Sequence, residues 1–114
     1  MATHEDAVLM VQLFRWSTEI GGMEAADAVL ADGFDPEIAT ARDPAVNKLL
    51  IFGESIATLV KHGLLDRDLV NDTWAMGLIW SRLAPAVRRE RQRMNEPRLY
   101  ENLEALVTMV TAAV

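Results

Sequence analysis

The chain has 114 residues, enough for one domain with its own core, and 51% are hydrophobic against 25% charged. It contains no cysteine, which excludes disulfides, thiolate metal sites, iron–sulfur ligation and thiol nucleophiles. The net charge of −6 is uneven: residues 1–43 hold nine acids and two arginines, whereas residues 82–98 hold six arginines and two glutamates.

The acidic start, Met1-Ala2-Thr3-His4-Glu5-Asp6, is not a secretory signal. Thr3 and Asp6 form an approximate capping box, with a carboxylate at the positive end of a helix. Leu9, Leu13, Trp16 and Ile20 follow at spacings of four, three and four, one helical face widened by Met10 and Phe14. Gly21-Gly22 ends that helix, predicted over 4–20. A shorter one spans 23–31, with Gly33 as a left-handed terminator. Asp35-Pro36-Glu37 predicts one further turn to about Ala41.

Asp43-Pro44 sets an aspartate cap before a first-turn proline, and a long helix is predicted over 44–62, closed by Gly63. Leu49, Phe52, Gly53, Ile56, Leu59 and Val60 mark one side of it, Leu50 and Ile51 the other. A helix over 67–94 carries the stripe Leu69, Met76, Trp80, Leu83 and Val87, and Pro85 should kink it. The last helix, 97–112, begins at Pro97 and buries Leu99, Leu103, Leu106 and Val110. No strand alternation or repeat is present. The reading is all-α: a single compact bundle of about five helices in one domain, 1–114, with two long central helices. The longest uncharged apolar run, Thr73 to Ser81, is about half the ~20 residues a membrane span needs. A soluble, cytoplasmic protein is expected.

The chemistry-bearing residues are sparse. His4 and His62 lack the Glu-x-x-His or His-Glu-x-x-His spacing of metal-binding helices, so no metal and no cofactor is expected. Ser17, Ser55 and Ser81 lie in predicted helices without a nucleophile elbow. Glu54 stands out as an acid amid Leu49-Leu50-Ile51-Phe52-Gly53, so its carboxylate is turned to water or paired. A helix-edge salt bridge is one reading; a buried pair with Arg82 or Arg89 is another. Arg88-Arg89-Glu90-Arg91-Gln92-Arg93 admits phosphate or nucleic-acid contacts, or a solvated helix face. Trp16, Trp74 and Trp80 read as core.

Several segments carry a resemblance: Asn47 to Glu54, Lys61-His62-Gly63-Leu64-Leu65-Asp66, Ile79-Trp80, Leu83-Ala84-Pro85, Arg88 to Arg91, and Pro97 to Glu104. Together they resemble a bacterial family of unknown function, an all-helical domain often found behind an N-terminal transmembrane helix. That pattern sets phenylalanine directly before the glutamate and at the position of Leu103. This chain has Gly53 and Leu103 there, and the membrane helix is absent. The resemblance implies an all-α fold, supplies no activity, and suggests that Glu54, Trp80, Arg91 and Tyr100 form one cluster.

The expected function is therefore a helical interaction module that self-associates as a homodimer through its two-sided third and fourth helices, with no catalytic activity. The alternative is a small-molecule or phosphate site built from Glu54, Trp80, Arg88, Arg91 and Tyr100. Nucleic-acid binding through the arginine run is a third.

Overall fold

A computed structural model describes the backbone of residues 1–113 and the side chains of residues 1–108. Six helices are present among them, and no strand: α1 (His4–Glu19), α2 (Gly22–Leu30), α3 (Pro44–Lys61), α4 (Arg67–Thr73), α5 (Met76–Met94) and α6 (Glu101–Ala113). Val110 was expected on the buried face of the last helix; its side chain lies outside the described residues.

The predicted start signals operate. Thr3 Oγ1 accepts from Asp6 N at 3.1 Å while the Asp6 carboxylate accepts from Thr3 N at 2.7 Å, a reciprocal box that closes α1. Gly21, at φ 76°, makes the tight corner into α2. Asp43 is the N-cap residue of α3 with Pro44 in its first turn, but its carboxylate faces backwards. It accepts from Thr40 N at 2.9 Å and Thr40 Oγ1 at 3.0 Å. Gly63, at φ 72°, ends α3 as expected, with Leu64 N donating to Leu59 O and Gly63 N to Val60 O. That pairing is the six-to-one, five-to-two pattern of a helix C-terminus.

Gly33 does not terminate α2; no positive φ occurs there. The helix stops at Leu30 and Ala31 is extended, because a side chain from α5 takes the exposed carbonyls. Asp35 closes a single turn, Ala39 N to Asp35 O at 3.1 Å, too short for a helix.

The single helix expected over 67–94 is two. Trp74 and Ala75 separate α4 from α5, Trp74 being extended at φ −123°, ψ 143°, while α5 continues through Pro85. The cause is tertiary. The Trp74 ring lies 5.3 Å from Phe14 and meets Phe52 edge-on at 5.4 Å, and Trp16 joins Phe52 at 5.0 Å. Such aromatic contacts outweigh the modest gain of continuing a helix. The last helix also starts later than predicted. Asn95, at φ 51°, ends α5 with Glu96 N on Arg91 O at 2.9 Å. Residues 97–100 then form turns, and Tyr100 at φ 60° precedes α6.

The core draws on all six helices, α1 contributing Met10 and Leu13. Val29, Val46, Leu50, Ile56, Val70, Leu83 and Val87 are each under 2% exposed, and Leu103, Leu106 and Val107 join them from α6. Each full burial of such a side chain contributes roughly 1.5–3 kcal/mol. Helix α3 touches α2, α5 and α6. Leu50, on its second apolar side, is therefore covered by the chain itself, whereas Ile51 stays 47% exposed.

Candidate functional site

Three of the candidate residues, Glu54, Arg91 and Tyr100, lie at the start of α6. Glu54, on α3, reaches across so that its Oε1 accepts from Leu103 N at 2.9 Å. Leu103 is the third residue of α6, whose first-turn N–H groups have no intrahelical acceptor. Tyr100, preceding the helix, has no short polar side chain to supply one. Glu54 thus performs from another helix what a capping residue does locally, and its charge suits the positive helix end.

Further contacts brace the junction. Asn102 Nδ2 donates to Thr58 Oγ1 at 3.1 Å, and Thr58 Oγ1 donates to Glu54 O at 2.8 Å. From α5, Arg91 Nε donates to Leu99 O at 2.8 Å. Its second nitrogen stands 2.9 Å from Glu104 Oε1, a charge contact that is off line for a hydrogen bond. Gly53 lets the helices close up: a Cβ there would lie 2.9 Å from Leu103 Cδ2.

Three of the five candidates, Glu54, Arg91 and Tyr100, therefore border one junction. Tyr100 is half-buried, and burial first, then the nearby Glu90 and Glu54 carboxylates, push its phenol above the ordinary value. Trp80 is half-buried against the core, about 16 Å from Arg91 along the α5 axis. Arg88 is exposed, one turn before Arg91. Glu54 Oε1 and Arg91 Nε face backbone groups of α6 and the turn before it, while the second Arg91 nitrogen faces the Glu104 carboxylate.

The pairing of Glu54 with Arg82 or Arg89 does not occur, because both arginines serve the 31–43 crossing. Arg82 donates to Val29 O at 2.8 Å, Ala31 O at 3.0 Å and Phe34 O at 3.1 Å. Its guanidinium also lies 5.2 Å from the centre of the Phe34 ring. Arg89 donates to Pro36 O and Ala39 O. The spacing of seven, which sets both on one face of α5, was the signal available in the sequence. Arg93 pairs with Glu90 through two bonds of 2.8 and 2.9 Å. That pairing, ahead of every other influence, holds the Glu90 carboxyl below the usual carboxylate range. Arg98 likewise pairs with Glu101 at 2.8 Å.

Among the described residues no group of three or more His, Asp or Glu side chains could hold a metal ion. No helix among them is long and apolar enough to cross a membrane. No curated protein and no solved structure matches the chain. A family model does match, over residues 2–110, and the all-helical chain belongs to that family, described as a domain of unknown function (DUF4760).

Proposed function

We propose that the domain is a helical interaction module that binds a second copy of itself as a homodimer and performs no chemical step of its own. The observation behind this reading is the outer face of α1. Val8, Val11 and Phe14 there are 48%, 70% and 47% exposed, in successive steps of three residues. Single exposed apolar side chains are ordinary, but a contiguous row on one helix is costly to leave in water. A face used identically by two copies closes at two.

The competing readings have less to work with. Five of the six arginines in 82–98 already meet carbonyl or carboxylate oxygens within the chain, which leaves little free cationic surface for phosphates. The third predicted helix also loses weight as a dimer face, since Leu50 on its second side is buried by the chain itself. A cytoplasmic setting belongs to the proposal, because a chain without cysteine gains nothing from an oxidising compartment.

Sedimentation velocity across a concentration series tests it. A mass rising from 12.7 kDa toward twice that value by on the order of 100 µM is expected. A constant monomer mass at every concentration rejects the reading.

A further inference from the structure

We infer that the second copy docks on α1 in antiparallel register, with Val11 on the two-fold axis. This rests on the self-association proposed above and names its surface. At 100° per residue, His4, Ala7, Val8, Val11, Phe14, Arg15 and Thr18 share one side of α1, and all seven are exposed. An isologous contact centred on Val11 sets residue i opposite residue 22 − i of the other copy. Val11 then meets its own counterpart, and Val8 meets the second copy's Phe14. The apolar row covers itself end to end.

Charge chooses between the two possible directions. Arg15 and Glu19 lie along one edge of this face, with Glu5 behind them on the same side. Among the described residues neither Glu5 nor Arg15 forms an ion pair. In a parallel pair the two-fold axis runs along the helices, so these residues lie across the seam from the opposite, uncharged edge of the other copy and meet no opposite charge. The antiparallel pair brings Arg15 near the second copy's Glu5, about 3 Å off register along the axis, and Glu19 near His4. Opposite charges then flank the apolar row on both ends. The 16 residues of α1 span about 24 Å, a small contact of the transient class.

The absence of cysteine makes the test direct. A residue on a two-fold axis faces itself, so Val11→Cys can form a disulfide between copies. Ile51→Cys, equally surface-placed on α3 at 47% exposure, is the control, and circular dichroism checks that both fold. Under mild oxidation Val11→Cys should cross-link about tenfold faster than Ile51→Cys, as expected if its thiol is held at high effective concentration. Arg15→Glu should weaken association roughly tenfold through its two symmetric pairs, and adding Glu5→Arg should restore it. Equal cross-linking rates, or a charge reversal that the second change fails to rescue, overturn the register while leaving a dimeric wild type intact. A wild type that stays monomeric removes the self-association itself.

Discussion

Glu54 and Leu103 stand 49 positions apart, yet the carboxylate of one closes the backbone of the other at 2.9 Å. The helix that ends the chain is thus started by the helix at its middle. Replacing Glu54 by alanine should cost about 1–2 kcal/mol, the usual range for losing an N-terminal cap. Glutamine, which keeps the acceptor oxygen but not the charge, should cost less than half as much. Urea denaturation at neutral pH measures both, and equal losses would mean that the hydrogen bond contributes nothing beyond charge.

Gly53 and Leu103 predict a change of sign. A methyl group at 53 collides with the buried Leu103 side chain, a strain of about 1–3 kcal/mol that exceeds the ~1 kcal/mol of helix propensity gained. Gly53→Ala should therefore destabilise the wild type. With Leu103→Ala already present, the same change should become neutral or stabilising. A double-mutant cycle with no coupling would refute the contact.

Asp6 gives the fold an acid-sensitive element. Hydrogen bonding from the Thr3 backbone, ahead of the other influences, lowers its pKa from 3.8 in the folded chain. A depressed carboxyl stabilises the fold fully above the unfolded value, and that contribution disappears as pH falls through the folded one. Asp6→Asn should accordingly melt below the wild type at about pH 6, with the gap closing by about pH 2. A gap independent of pH would show that the carboxylate's charge is not involved.

Arg82 and Arg89 should matter more than their surface positions suggest. Losing hydrogen bonds from a charged donor costs about 1.5–3 kcal/mol, so Arg82→Met should lower stability by that amount and expose residues 31–43 to limited proteolysis. Arg82→Lys should recover less than half, since an ammonium cannot span three carbonyls as a planar fork does. Unchanged proteolysis in both variants would mean that the crossing holds itself.

Much of this architecture was legible in the residues. Thr3 with Asp6, Asp43-Pro44 and Gly63 each carry a local chemical reason to start or stop a helix, and the start of α1 and both ends of α3 lie where those signals fall. The break at Trp74-Ala75 has no such mark. Leu69, Met76 and Trp80 keep helical spacing across it, and only the meeting of Trp74 with Phe14 and Phe52 interrupts the rod. The delayed start of α6 depends on Tyr100 holding a left-handed backbone, which a tyrosine does not advertise. At the candidate site, Glu54 was recognisable as an acid in apolar company. Its partner was not, because a main-chain N–H leaves no trace in sequence.

The hydrogen bonds by which Arg82 and Arg89 of α5 grip the 31–43 crossing end on carbonyl oxygens, which every amino acid supplies alike. Substitutions at its exposed positions, such as Asp32, Gly33, Glu37 and Ile38, can accumulate without loosening those bonds, while two positions about fifty residues away hold its path. The outward positions of the crossing are therefore open to change by drift or by design, a place where foreign side chains could be displayed while Ala39 and Ala41 anchor it in the core.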